Sequence, residues 1–288
     1  MKYADLFKQN KNTILFLFCL SVLAYSIWYI YDENNFQVTT VPFHIPKKDT
    51  EASKTVNSVP LVIYQTWNSR TLPTNMKDSI DRLVAKNPEF EYYLYDDADC
   101  LEFIKQNFEK EVVNAFESLI PGAYKADLWR YCVLFKNGGV YLDIKYYSLV
   151  PLVEVIKQFN TIYVRDGRDG QSLCANALYN GFMVSPPGNK VFRACIDDIV
   201  ESYRFRLLRS NTLDVTGPCL LGRIVEKEDS KNHIDTIPFH FCTSFGPGIK
   251  LNTMTILKHY PKYRRDQRKF QKTPYYADLW KKKQVWKV

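Results

Sequence analysis

From Leu61 onward, short apolar runs of strand type alternate with longer stretches of helical period. Leu61–Trp67 (LVIYQTW) is the first strand-like run, rich in β-branched and aromatic residues. A polar turn follows, and Pro73, suited to a first helical turn, opens a helix to about Lys86. Glu91–Tyr95 (EYYLY) reads as a second strand ending in Asp96-Asp97, and helical patterns cover roughly Ala98–Leu119. A further helix is predicted over Ala123–Lys136. Gly138-Gly139 stop it, and Val140–Ile144 (VYLDI) follows at once as a strand. Later strands are expected around Thr161–Val164, Phe182–Ser185 and Ile237–Cys242, and helices near Lys190–Leu208 and Leu220–Val225. This alternation predicts an α/β sandwich on a mainly parallel sheet, with ligands bound at the carboxyl ends of its strands.

The N-terminal fifth departs from that pattern. Thr13–Tyr31 is a 19-residue run without a charge, spanning about 28 Å as a helix, close to the hydrocarbon thickness of a bilayer. Lys2, Lys8 and Lys11 precede it, and Asp32 and Glu33 follow. The positive-inside rule therefore predicts a cytoplasmic tail (1–12), a signal-anchor span (13–31) and everything beyond on the far side. The rival is a cleaved signal peptide, since Ala24-Tyr25-Ser26 is a passable cleavage site; the apolar run continues past it, which favours an anchor. Residues 32–59 have no sustained period, carry Pro42 and Pro46, and read as a stem before a domain at 60–288.

Composition adds two constraints. A hydrophobic share of 46% and an aromatic share of 15% exclude wholesale disorder. The net charge of +8 is localised: residues 258–288 hold eleven Lys/Arg against two Asp/Glu, leaving 28 against 29 elsewhere. This basic segment could meet nucleic acid, but beyond a membrane an anionic lipid, an acidic glycan or a diphosphate fits better. Trp280 and Trp286 suggest that it also packs back on the domain. Six of the seven cysteines lie beyond the apolar run, an even number that permits disulfides, and no C-x-x-C occurs. Nucleophile-elbow, zincin and P-loop motifs are also missing from the sequence.

The helix AYKADLWRYCVLFKN carries apolar residues on most sides, yet Asp127 and Arg130 project from one face at i and i+3. They either form an internal ion pair or reach into a cleft holding a charged ligand. The following Gly138-Gly139, which permit a sharp turn and close backbone approach, lead through Tyr141 to Asp143 at a strand's carboxyl end. That succession favours the cleft. There, Asp143 could bind sugar hydroxyls or a divalent cation, and Arg130 a phosphate or a hydroxyl.

IYQTW, YLYDDADC and above all ADLWRYCVLFKNGGVYLDIK resemble the family 32 glycosyltransferases, the group with a DXD sugar-binding region. The resemblance runs from about Leu61 to Lys145, and more loosely through Asn176–Phe192, Thr216-Gly217-Pro218 and the closing PYYADLWKKKQVW. It implies a GT-A type (Rossmann-like) fold and a retaining hexosyltransferase; with the apolar run as its single transmembrane helix, the membrane would be Golgi or ER, or the equivalent membrane of a virus-infected or bacterial cell. The donor would be GDP-mannose or a UDP-hexose, the acceptor a glycan or glycolipid, with no nucleic acid partner. By position, the resemblance makes Asp127 and Arg130 the pair gripping the donor sugar, with Asp143 the first aspartate of the D-x-D element. Gln65, Thr66 and Trp67, with Gly138, Gly139 and Tyr141, would line the donor pocket. Asp166 in a polar loop, Asn176 and Asn180 are weaker candidates for donor or acceptor hydroxyls.

The departure is Lys145, where the family has the second aspartate that ligates Mn²⁺ or Mg²⁺. Three readings follow. Lys145 replaces the metal as a clamp on the leaving diphosphate; or a metal still binds through Asp143 and a residue such as His240; or the chain is a sugar-nucleotide-binding pseudoenzyme.

Overall fold

The computed structural model describes residues 11–34, 36–49, 51, 54–166, 174–232, 239–242, 248–270 and 273–287, with the backbone alone at 12, 32–34, 229–232 and 239–242. Most of the expected cytoplasmic tail, Gly167–Gly170 of the polar loop and the side chain of His240 lie outside the described residues. The chain divides into two compact units, Met1–Thr39 and Thr40–Val288. The first contains helix α1 (Lys11–Asn34), whose run Thr13–Tyr31 has a mean hydropathy of 2.1 and is long and apolar enough to cross a membrane.

The second unit is built on one large sheet. Along the chain its strands are β1 (His44–Ile45), β2 (Val62–Thr66), β3 (Glu91–Tyr95), β4 (Gly139–Leu142), β5 (Tyr146–Ser148), β6 (Ile162–Arg165), β7 (Leu178–Ser185), β8 (Phe239–Cys242), β9 (Gly248–Leu251) and β10 (Met254–His259). They lie in the order β1-β3-β2-β4-β7-β6-β8-β9-β10-β5. The sheet is mixed rather than mainly parallel: three pairings are parallel and six antiparallel. The parallel trio β3-β2-β4 forms the half in which strands alternate with helices. The other half is joined largely by hairpins and short connections, which favour antiparallel neighbours.

Helices cover both faces. Between β2 and β3 runs α2 (Thr74–Lys86); α3 (Asp97–Asn107), α4 (Lys110–Ser118) and α5 (Gly122–Asn137) run from β3 to β4. Then come α6 (Leu152–Ile156), α7 (Lys190–Arg204), α8 (Pro218–Asn232), α9 (Tyr263–Phe270) and α10 (Tyr276–Lys281). Strand alternation divides the core accordingly. Tyr64, Tyr141 and Met183 join α3, α4, α5 and α7 on one face, and Ile63, Val140, Leu142 and Phe182 join α2 and Tyr263 on the other. Because α2 and α3–α5 cross on opposite faces, the strand order reverses between β2 and β4, where a doubly wound sheet leaves a crevice at its carboxyl edge.

Two boundaries differ from the sequence reading. The compact unit begins at Thr40, because Val41 and Val59 are buried and His44–Ile45 adds an edge strand to β3, so the second half of the expected stem is part of the domain. The helical stretch 98–119 is two helices, broken after Asn107. The C-terminal segment does pack back: the indoles of Trp280 and Trp286 donate to the carbonyls of Leu208 and Leu207.

Candidate active site

α5 begins after Pro121 and is buried on nearly every side, with Leu128, Trp129, Cys132 and Val133 in the core. Asp127 and Arg130 are carried inward with them, 8% and 6% exposed. Buried charges need partners, and here every one is visible. The Arg130 guanidinium lies between two carboxylates, with Nη2 3.3 Å from Asp127 Oδ1 and 3.4 Å from Asp143 Oδ1. Its Nη1 donates to the Asn180 carbonyl at 2.8 Å, and the group stacks over the Tyr141 ring at 4.4 Å.

Asp127 accepts from Asn180 Nδ2 on Oδ1 (2.9 Å) and from Thr216 Oγ1 on Oδ2 (2.7 Å). One acceptor position on Oδ2 remains, and the neighbouring Gly217, with no side chain to fill it, keeps the adjoining space free. Burial raises the Asp127 carboxyl to about 6 against the pull of Arg130 and Thr216. Asp143, one residue past β4, goes the other way. Burial alone would raise it, but Lys145 and Arg130 hold it well below the usual carboxylate range.

Asp143 is held from every direction. Oδ1 accepts the Tyr141 hydroxyl and Oδ2 the Tyr179 hydroxyl, both at 3.0 Å, and Lys145 Nζ stands 2.8 Å from Oδ2. Behind it, the Gln65 carboxamide donates to the Asp143 carbonyl at 3.1 Å while accepting from Tyr92 at 2.8 Å. A turn closed by Tyr146 N–H on the Asp143 carbonyl brings Lys145 back beside Asp143. The ammonium lies 5.4, 5.3 and 5.9 Å from the rings of Tyr146, Tyr179 and Tyr263, and burial lowers its pKa against the opposing pull of Asp143.

Asp127, Arg130, Asp143, Lys145, Tyr141 and Asn180 thus converge at the carboxyl edge of β4. Other candidates fall elsewhere. Gly138 and Gly139 sit at the amino end of β4, about 13 Å of strand from Asp143, and their role is steric. A Cβ at Gly138 (φ +65) would strike Pro187, and one at Gly139 (φ +103) would stand 2.8 Å from the Val62 carbonyl. Gln65 is fully buried and positions the Asp143 backbone instead of lining a pocket. Thr66 spends its hydroxyl on the Tyr95 carbonyl. Trp67 is half-buried just past β2, with its indole N–H lacking a partner among the described residues. Asn176 is exposed and bound to Glu226 of α8, whereas Asp166 is half-buried at the end of β6.

The sequence reading missed Tyr179, Thr216, Tyr146 and Tyr263. Gly181 shows how tightly Tyr179 is fitted: a Cβ there would come within 2.5 Å of Asp143 Oδ2 and 2.3 Å of the Tyr179 hydroxyl. Gly181→Ala is therefore expected to push Tyr179 off Asp143 while β7 still forms. Donor turnover should fall at least tenfold, with far-UV circular dichroism unchanged. Unaltered turnover would show that Tyr179 does not hold Asp143.

The donor set around Asp143 does not suit a divalent cation. Oδ2 is engaged by Tyr179 and Lys145 and Oδ1 by Tyr141, with the Arg130 guanidinium at an ion-pair distance of 3.4 Å from Oδ1. At about 4 Å, an ammonium repels a second cation by roughly 4 kcal/mol per unit charge at an effective dielectric near 20. Among the described residues, no group of three or more His, Cys, Asp or Glu gathers as a metal site.

Residues 73–162, which include α5 and Asp143-Ile144-Lys145, match the family described as "Glycosyltransferase sugar-binding region containing DXD motif". The chain is 31% identical over 117 residues to an initiation-specific alpha-1,6-mannosyltransferase of Candida albicans, covering 38% of this chain and 30% of that protein. It is 30% identical over 87 residues to inositol phosphoceramide mannosyltransferase 3 of Schizosaccharomyces pombe, covering 30% of this chain and 24% of that one. A mannosyl phosphorylinositol ceramide synthase of Saccharomyces cerevisiae is 27% identical over 139 residues, 46% of this chain and 36% of its own. The matches therefore span a quarter to about a third of these relatives' lengths. Among solved structures, PaToxG glycosyltransferase aligns with a TM-score of 0.46 at 19% identity, over 60% of this chain and 71% of that chain.

Proposed function

We propose that the chain, whose residues 73–162 match a glycosyltransferase sugar-binding region, transfers a hexose from a nucleotide sugar to a hydroxyl of a glycan or glycolipid. The observation that carries this reading is the Asp127–Arg130–Asp143 cluster at the carboxyl edge of β4, beside β7 and within the matched segment. Ligands of doubly wound sheets bind at that edge. The fold is read as GT-A type, and mannose, carried as GDP-mannose, is the first sugar to test because the curated relatives are named for mannosyl transfer. The apolar run Thr13–Tyr31 serves as a type II anchor, with the second unit lumenal in a Golgi or ER membrane.

In this reading Asp127 accepts a hydroxyl of the donor sugar at its remaining Oδ2 position. Arg130 fixes both carboxylates and offsets their charge. Asp143, hydrogen-bonded by two tyrosines and flanked by Lys145 and Arg130, makes a poor nucleophile, which argues against a glycosyl-enzyme ester; retention itself is carried over from the family resemblance. The bond from C1 to the diphosphate oxygen breaks, the acceptor oxygen bonds to C1 on the same face, and its proton passes to the leaving diphosphate. The protein's main contribution is electrostatic. A second reading, a non-catalytic sugar-nucleotide-binding module, draws on Lys145 in place of the second aspartate.

The test is slow hydrolysis of GDP-mannose, UDP-glucose, UDP-galactose and UDP-N-acetylglucosamine by the full chain in detergent. Turnover of one donor, lost in Asp143→Ala, is expected. Binding without turnover of any donor, even with acceptors present, would favour the second reading.

A further inference from the structure

We propose that Lys145 is a built-in cation that takes the place of a divalent metal, neutralising the donor's diphosphate so that this chain binds and turns over its donor without metal. The inference rests on the nucleotide-sugar reading above and deepens it. Three observations carry it.

The first is position. The turn from Asp143 to Tyr146 returns Lys145 Nζ to 2.8 Å from Asp143 Oδ2, at the edge where a diphosphate would lie. The turn is fixed on both sides, by Gln65 on the Asp143 carbonyl and by the Tyr260 N–H on the Lys145 carbonyl at 3.1 Å.

The second is crowding. The Tyr141 and Tyr179 hydroxyls donate to the two oxygens of Asp143, Lys145 Nζ stands 2.8 Å from Oδ2, and the Arg130 guanidinium lies 3.4 Å from Oδ1. A metal at Asp143 would meet two cations already beside it.

The third is the enclosure. Tyr146, Tyr179 and Tyr263 place three aromatic rings within 5.9 Å of the ammonium, an arrangement that stabilises a cation. The Tyr146 hydroxyl donates to that of Tyr179, which in turn donates to Asp143, so the rings are themselves held. Lys145 keeps 14% of its side chain exposed, enough to meet a phosphate oxygen from one side. The exposed Arg264 of α9, whose guanidinium lies 5.6 Å from the Tyr263 ring, adds positive charge from the basic C-terminal segment. The competing arrangement has a metal held by Asp143 and His259, whose buried Nε2 lacks a hydrogen-bond partner.

The test uses the full chain in detergent, with GDP and UDP titrated calorimetrically in EDTA and in Mn²⁺, and Mn²⁺ binding followed by electron paramagnetic resonance. One of the two nucleotides is expected to bind equally well in both solutions, with no tight Mn²⁺ site in the native chain. Lys145→Ala should weaken that diphosphate by about tenfold or more while leaving the matching nucleoside within about twofold, a contrast that a general structural defect would not produce. Lys145→Asp should gain a Mn²⁺ signal and make diphosphate binding depend on it. Diphosphate binding by the native chain that is lost in EDTA would overturn the proposal while leaving the glycosyltransferase reading in place. A tight Mn²⁺ signal in the native chain that disappears in His259→Ala would overturn it in the same way. Failure to bind either nucleotide under any condition would remove the nucleotide-sugar reading, and this proposal with it.

Discussion

Arg130→Met is expected to abolish donor turnover and to destabilise the fold by about 3–5 kcal/mol, the cost of leaving buried charges without their partner. Methionine keeps the aliphatic stem of arginine but not the guanidinium that stacks on Tyr141, so the loss combines the charge with that contact. Asp127 would keep Asn180 and Thr216 as donors but lose its nearest cation. Asp143 would keep Lys145 and is the less affected of the two. The Asn180 carbonyl would lose its only side-chain donor among the described residues. Urea denaturation followed by tryptophan fluorescence measures the difference. Adding Asp127→Asn to Arg130→Met should recover part of the stability, because it removes the uncompensated charge, but none of the turnover. A single-variant loss below about 1 kcal/mol would mean that the cluster is far better solvated than its burial indicates.

Much of this cluster was legible because it is local. Asp127 and Arg130 share a helix face by spacing alone, and the strand that carries Asp143 begins directly behind that helix. What the sequence concealed is non-local or directional. A pair of glycines between a helix and a strand signals a special turn, but not which end of the strand a ligand occupies. Gly138-Gly139 answer to Pro187 and the Val62 carbonyl, at the far end of β4 from the site. The family resemblance made Gln65 a pocket residue, yet pleating turns it into the layer beneath Asp143. The tyrosines around Lys145 come from β5, β7 and α9, and no periodicity connects them. The β9–β10 hairpin turns on Asn252 at φ +53 and was hidden by weak alternation. An even cysteine count permitted disulfides without selecting partners. Cys174 is bonded to Cys219, three residues past Thr216, whereas Cys100, Cys132 and Cys195 are free and buried.

Donor turnover is expected to fall as pH drops through about 6, with the Asp127 carboxyl as the titrating group. Protonation at Oδ2 removes the negative charge and turns the free acceptor position into a donor, which should weaken transition-state binding of a sugar hydroxyl. Asp127→Asn should lower kcat/KM by on the order of 10²- to 10³-fold and remove the inflection near pH 6 from whatever activity remains. Stability should move in the opposite sense over the same range. Because burial raises the folded-state value above the ordinary 3.8, the native chain binds this proton more tightly than the unfolded chain does. Asp127's contribution is therefore complete below about pH 4 and declines as pH rises to about 6. Integrated over roughly two pKa units, that is on the order of 3 kcal/mol. Asp143, held low, acts inversely: its contribution is present above pH 3.8 and is lost as pH falls below that value. Activity and stability measured on the same samples from pH 4.5 to 8 should thus diverge, with turnover rising while resistance to urea declines. The two curves rising together would rule out Asp127 as the group behind the activity profile.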